Sequence, residues 1–389
     1  DTVQPGMREE AAAQLGYRPL AKQGDIIRTG QVIGEFRSEG VADKHLVPPG
    51  VSGEVVSIAK EADYDEHEVL CVLRDDTVTE TKLTAGHYWP IRRPRPAKKR
   101  LPPREPLVTG QRIMDTLFPV ARGGRAALPG GFGTGKTILQ ESLAKWCDAD
   151  VIVYVGCGER GNEMAEVLNE FPTLEDPRSG KPLLDRTVII ANTSNMPDAA
   201  REASIYTGIT VAEYFRDQGL HVALMADSTT RWAEALREIS GRLGELPGEQ
   251  GFPAYLSSRL AEFYERAAHV ETLQGEEGSV TIIGAVSPPA GDFSEPVTSQ
   301  TKRYVRCFWA LDRDRAQARF FPAIHPLTSY SEDVDALARW WRARGNPDWT
   351  EHRRRILTLL EQRARLERMA RIVGKDALPP RQQLTPVSY

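Results

Sequence analysis

The chain is 389 residues long, room for two or three domains, and 40% of it is hydrophobic. Its 50 lysines and arginines nearly balance 54 acids, a net charge of −4, so composition gives no reason to expect a nucleic-acid surface. No apolar run approaches the ~20 residues that cross a bilayer.

Residues 1–91 read as a small β-rich unit. Asp25-Ile26-Ile27, Gln31-Val32-Ile33-Gly34, His45-Leu46-Val47 and Gly53-Glu54-Val55-Val56 are short apolar stretches broken by glycines and by Pro48-Pro49-Gly50. That is the pattern of strands joined by tight turns. A basic, proline-laden stretch follows, Arg92-Arg93-Pro94-Arg95-Pro96 through Lys98-Lys99-Arg100 to Pro102-Pro103. Without interleaved aromatics it reads as a solvated linker.

Beyond the linker, strand and helix alternate. Ile138, Leu139, Leu143 and Trp146 recur at helical spacing, then Val151-Ile152-Val153-Tyr154-Val155 is a continuous apolar run. Met164, Val167, Leu168 and Phe171 form a second helical stripe, and Thr187-Val188-Ile189-Ile190 a second buried strand. A helix over 199–218 leads into the strand His221-Val222-Ala223-Leu224-Met225-Ala226, with further strands expected at 279–286 and 304–311. Fully apolar strands between amphipathic helices predict an α/β fold whose parallel sheet is covered on both faces. From 332 to 374, Arg, Leu and Glu at helical spacing open a helical domain.

Gly130-Gly131-Phe132-Gly133-Thr134-Gly135-Lys136-Thr137 satisfies G-x-x-x-x-G-K-[ST] at every position, after the apolar Ala126-Ala127-Leu128 and before a helix. Its glycines let backbone N–H groups wrap a phosphate, and the helix start adds partial positive charge. Lys136 is placed to reach the β- and γ-phosphates of ATP, and the Thr137 hydroxyl to hold Mg²⁺. Gly156-Cys157-Gly158-Glu159-Arg160-Gly161 also spells a dinucleotide fingerprint. The next strand ends in Ala191-Asn192 rather than the acid that would bind a ribose, so we reject NAD.

Two carboxylates stand at carboxyl ends of predicted strands, where open α/β sheets bind ligands. Asp227 follows the run 221–226 and suits the magnesium-side acid. Glu159 follows 151–155, where a glutamate can polarise the water that attacks the γ-phosphate, and Arg160 beside it can balance phosphate charge. Either acid could instead cap the helix that follows it.

The stretch Gly156 to Glu163 resembles the glutamate-bearing loop of rotary ATPase catalytic subunits. So do the segments 192–197, 200–206, 226–238, 287–296 and 320–324, which together span most of 105–330. The unit in front, with Leu46-Val47-Pro48-Pro49-Gly50, resembles the extra domain of the catalytic A subunits of V/A-type rotary ATPases. The resemblance implies a RecA-like P-loop fold over 92–330, the β-rich extra domain over 1–91 and the start of a C-terminal helical domain over 331–389.

It also implies ATP or ADP with Mg²⁺ at the site, with Lys136 and Thr137 on phosphate and metal. Glu159 becomes the water-activating glutamate, Arg160 a phosphate contact and Asp227 a metal-side acid. Arg231 is expected near the catalytic centre, and Phe321 with Pro322 beside the adenine, although an aromatic is more often core. Partners implied are a B-type subunit supplying an arginine finger in an alternating A3B3 hexamer, central-stalk subunits and, indirectly, a membrane sector moving protons or sodium. That places the chain on the cytoplasmic face of a membrane, in keeping with four scattered cysteines and no CxxC pair.

The sequence departs from the family in places. Thr134 stands where eukaryotic relatives carry cysteine, so thiol control is not expected, and Ile324-His325-Pro326-Leu327 replaces an asparagine-tryptophan version. Asp1 in place of methionine, and a tail that trails off through Leu378-Pro379-Pro380, lead us to expect a fragment. Asp43-Lys44 before Val47-Pro48-Pro49-Gly50 is similar to lipoyl-type domains, in which a turn lysine is acylated. Rival classes are an export-apparatus ATPase, a hexameric helicase and a non-catalytic nucleotide-binding component. The β-rich unit disfavours the first. The second would need a nucleic-acid-binding element, and intact Lys136, Thr137 and Glu159 oppose the third.

Overall fold

The computed structural model describes residues 14–37, 41 and 43–373, so Leu378-Pro379-Pro380 lies outside the described residues. Its centre is a sheet of six parallel strands. These are β1 (Arg125–Pro129), β2 (Val151–Glu159), β3 (Thr187–Thr193), β4 (His221–Asp227), β5 (Glu277–Val286) and β6 (Cys307–Phe308). Their spatial order is β3-β2-β4-β5-β1-β6. Tyr330–Ser331 pairs antiparallel with β6, and Ala268–Glu271 forms a hairpin with β5. Of the strand expected over 304–311, only Cys307 and Phe308 pair regularly, as β6, while the N–H groups of Arg306, Trp309 and Leu311 still donate to the β1 carbonyls of Arg125, Ala127 and Pro129.

Four helices follow strands of this sheet: α1 (Lys136–Trp146), α2 (Gly161–Glu170), α3 (Asp198–Asp217) and α4 (Thr229–Arg242). All nine residues of β2 are buried, which is why the strand reads as an unbroken apolar run rather than an alternation. On one face Ile205, Tyr206 and Ile209 of α3 pack with Trp232 and Leu236 of α4 and with Leu260 and Phe263. On the other, Leu139 and Leu143 of α1, Met164 and Val167 of α2, and Trp309 close the core. Each such side chain contributes roughly 1.5–3 kcal/mol through burial. The predicted stripes were too wide: Ile138, Trp146 and Leu168 are exposed.

The N-terminal unit holds two four-stranded antiparallel sheets around separate small cores, one of Ile27, Ile33, Val55 and Leu73 and one of Tyr17, Phe36 and Leu70. Lys44 lies within the strand Asp43–Leu46. Its N–H donates to Gln218 Oε1 (2.9 Å), and its ammonium reaches the Gln218 carbonyl (3.0 Å) and Glu276 (3.2 Å). The lysine is a joint between this unit and the nucleotide-binding sheet, not an acylation arm on a turn.

The basic stretch is likewise not a solvated linker. Arg92 pairs with Glu202 at 2.6 Å. Arg95 is 5% exposed, its Nε donates to Asp217 at 2.7 Å, and its backbone N–H donates to Glu213 at 2.8 Å. Arg266 grips both oxygens of Glu213 at 2.9 and 2.6 Å and the Ile91 carbonyl at 2.6 Å. Lys99–Leu101 then joins the sheet beside Ala268–Glu271. The stretch is a strap bound across α3.

Two further helices, Val334–Ala343 and Trp349–Val373, follow the sheet. They meet through stacked Trp341 and Trp349, and Arg353 Nε bonds the Leu117 carbonyl at 2.6 Å. Cys71, Cys147, Cys157 and Cys307 are all buried and unpaired. Among the described residues no helix is long and apolar enough to cross a membrane.

Candidate nucleotide-binding and catalytic site

At the carboxyl edge of the sheet a cleft of about 560 Å³ is lined by the loop 130–138, Glu159, Glu163, Asp227, Arg231, the turn 287–290 and Phe321. The loop links β1 to α1 and is tied to β5 by a bond from the Gly130 N–H to the Val286 carbonyl (3.0 Å). Gly135 precedes α1 in the left-handed conformation (φ 79°) with no side-chain cap. A side chain there would be strained and would meet Phe321 at 3.3 Å. The first N–H groups of α1 are thus left to an anion at the helix start.

Lys136 rises from the first position of α1. Its Nζ lies 3.3 Å from Asp227 Oδ1 and bonds the Ser287 hydroxyl, a polar partner at the end of β5 that the sequence reading missed. Asp227 closes β4 and is 2% exposed, and its Oδ1 is buried without a hydrogen bond. A buried carboxylate oxygen with spare lone pairs, in the same cleft as Thr137, fits a hard cation such as Mg²⁺, which keeps several waters and few protein ligands. Among the described residues no cluster of three or more His, Cys, Asp or Glu makes a self-contained metal cage.

Glu159 closes β2. Its Oε2 is 3.1 Å from Arg231 Nη1, and the same guanidinium nitrogen donates to the Gly158 carbonyl at 2.6 Å. Arg231 sits in the first turn of α4, which Ser228 caps by accepting the Arg231 N–H. Burial, then Asp227 and a hydrogen bond with Glu163, push the Glu159 carboxyl up to about 8 against the pull of Arg231 and Lys136. Glu141, on α1 one turn beyond Thr137, is pushed up to about 7 by burial and by Glu170, Glu166 and Asp227. The floor of the cleft is therefore short of positive charge. A glutamate titrating near neutrality is suited to hold and orient a water.

The other expected residues divide. Phe132 and Phe321 are 91% and 62% exposed, so Phe321 is not core and offers a ring face at the rim of the cleft. Pro322 is half-buried behind it and lines no part of the cleft. Thr134 is buried under its loop, its hydroxyl donating to the Gly131 carbonyl at 2.8 Å. Arg160 turns away from the cleft, its side chain 61% exposed and 3.9 Å from Glu163. Glu163 itself, in the first turn of α2, lines the cleft and was not anticipated. Its only signal was its place in the first turn of the helix that follows Glu159.

A family model described as the ATP synthase alpha/beta family, nucleotide-binding domain, matches residues 110–331. An ATP synthase alpha/beta subunit barrel-sandwich domain matches 10–92, and the C-terminal domain of V and A type ATP synthase matches 338–386. Similar proteins include the A subunit of the A-type ATP synthase of Methanopyrus kandleri, 57% identical over 95% of this chain and 63% of the relative. Its namesake in Thermococcus kodakarensis is 59% identical over 94% of this chain and 63% of its own length. The V-type ATP synthase alpha chain of Halothermothrix orenii is 58% identical over 93% and 62%. The chain thus spans somewhat less than two thirds of these curated relatives.

Among solved structures, a prototypical ATPase from the type III secretion system of pathogenic bacteria is similar at TM-score 0.60 and 28% identity, over 79% of this chain and 78% of that one. An ATP synthase subunit from Nanoarcheaum equitans shares the fold at TM-score 0.64 and 22% identity, over 74% and 69%. With the phosphate loop, the covered parallel sheet and the acid-lined cleft in place, this chain belongs to the ATP synthase alpha/beta family.

Proposed function

We propose that this chain is the catalytic, ATP-binding part of the A subunit of an A/V-type rotary ATPase, coupling ATP hydrolysis or synthesis to proton or sodium transport. The observation that carries the reading is the meeting of Lys136, Glu159, Asp227 and Arg231, from four separate elements, around one cleft. Identities of 57–59% to relatives named as components of A-type or V-type ATP synthases favour it over an export-apparatus ATPase, whose representative is 28% identical.

In this reading residues 1–91 are the extra domain, 92–330 the nucleotide-binding domain and 331–389 the start of the helical domain. Backbone N–H groups of the loop and the Lys136 ammonium hold the β- and γ-phosphates, while Thr137 and Asp227 hold Mg²⁺. The metal, when bound, offsets charge between those phosphates. Glu159 orients the attacking water, Arg231 fixes the Glu159 carboxylate, and Phe321 flanks the base. A B-type subunit completes the site with an arginine finger, typically worth ~10³–10⁵ in rate. Hydrolysis then moves the helical domain against a central stalk at the cytoplasmic face of a membrane sector.

The test is co-expression of the full-length protein with a B-type partner, followed by mass measurement and an ATPase assay. A mixed hexamer that hydrolyses ATP is expected. A monomer that binds no nucleotide and assembles with nothing would overturn the reading.

A further inference from the structure

The backbone that carries Glu159 is bent, and the bend is held from two sides. At its centre Gly158 has φ 71°, and the β2–β3 register shifts between Cys157 and Glu159. Glycine adopts this left-handed conformation without steric cost, so the direction of the bend is set by the groups that hold it. On the β3 side the Gly158 N–H donates to Asn192 Oδ1 at 3.2 Å, and the Ser194 N–H donates to the Glu159 carbonyl at 2.8 Å. Asn192 is 3% exposed, and its amide nitrogen is turned to the Met196 sulfur at 3.4 Å, which leaves the oxygen aimed at the bend.

Arg201, from the first turns of α3, lies across the glycine. A β-carbon on Gly158 would sit 2.7 Å from Arg201 Nε. The same guanidinium donates to the Ser194 carbonyl at 3.0 Å and pairs with Asp198 at 3.7 Å. Asn192 therefore holds the N–H of the bend whose carbonyl Arg231 holds from α4, while Arg201 covers Gly158 and fixes Ser194, the residue whose N–H bonds the Glu159 carbonyl.

We propose that Asn192 and Arg201 are positioning residues that set the direction of the Glu159 carboxylate, an inference that rests on Glu159 being the water-orienting group. Neither lines the cleft, so neither should contribute to nucleotide affinity. A misdirected carboxylate loses rate because a displacement of about 1 Å at the reacting centre costs on the order of 10²-fold.

The test measures ATP turnover and binding of a fluorescent ATP analogue by the full-length protein in its assembled complex. Asn192→Leu keeps the branched outline but removes the acceptor; Asn192→Asp keeps the acceptor. We expect Asn192→Leu to lower kcat by about 10–100-fold at unchanged KM and analogue affinity, and Asn192→Asp to return kcat to near the parent rate. Arg201→Gln should lower kcat in the same manner. Parent-like kcat in both Asn192→Leu and Arg201→Gln overturns the proposal, and so does a loss of analogue affinity in step with kcat, the mark of a merely structural role. Should Asn192→Leu not be recovered folded, Arg201→Gln decides in the same terms. Normal turnover in Glu159→Gln removes the underlying reading. An inactive Glu159→Gln beside a fully active Asn192→Leu removes only this inference.

Discussion

The buried charges under the strap and those at the cleft are built on opposite plans. Under the strap, Arg95, Arg216 and Arg266 meet Glu213 and Asp217, and the arginines spend their remaining donors on the Ile91 and Arg95 carbonyls and on Thr210. In the lining of the cleft, Glu159, Glu163 and Asp227 stand beside two cations, Lys136 and Arg231, one oxygen of Asp227 takes no hydrogen bond, and the carboxyls of Glu159 and of Glu141 on α1 are pushed toward neutrality. Buried charges cost several kcal/mol each unless paired and bonded. The strap cluster meets that condition inside the chain. The cleft does not, and a site short of positive charge is where a metal and a partner's cation have something to neutralise.

The comparison can be broken first at the cleft. Glu159→Gln should reduce ATP turnover of the assembled complex by about 10²–10⁴-fold while equilibrium dialysis still finds bound nucleotide; normal turnover would put the water elsewhere. At the strap the expected loss is of stability. Glu213→Ala leaves Arg266 buried and uncompensated, so urea unfolding should show about 3–5 kcal/mol less stability, with turnover per folded molecule unchanged. If instead turnover falls at constant stability, the two clusters are not separate in role.

A finer test is pH. The base must be deprotonated to orient water, and its carboxyl lies near 8. Thus kcat/KM should climb with pH and level off above about 8, and that limb should be absent from the residual activity of Glu159→Gln. Stability runs the other way. The folded state keeps a proton on Glu159 that the unfolded chain loses above its ordinary 4.5. Stability therefore falls as pH rises from that value toward 8. Glu159→Gln should melt above the parent at about pH 9, by roughly 2–4 °C per kcal/mol recovered, and level with it at about pH 4.

The same contrast explains what was legible in the sequence. The phosphate loop, Glu159 and Asp227 announce themselves because each is a local event, a polar residue at the end of an apolar run. The parallel sheet was legible for the same reason, since β2, β4 and β5 carry no alternation. The strap was not, because its acids lie on α3 more than a hundred residues away, and a run of one sign shows nothing of its partners. Lys44 failed likewise: its partners Gln218 and Glu276 are long-range. Arg160 was placed by proximity in sequence, but as the residue before α2 it follows the turn outward while Glu163 comes round to the cleft.

The buried sulfurs have a practical side. Thiol-reactive dyes attack the thiolate, and burial pushes Cys71 up to about 11 and Cys157 up to about 12, with Cys147 and Cys307 also raised. A single cysteine introduced at Leu246, 89% exposed, would carry a fluorophore alone, without first stripping the native four. The folded chain is in effect already cysteine-free to a labelling reagent, and a distance-reporting probe can be installed on it in one step.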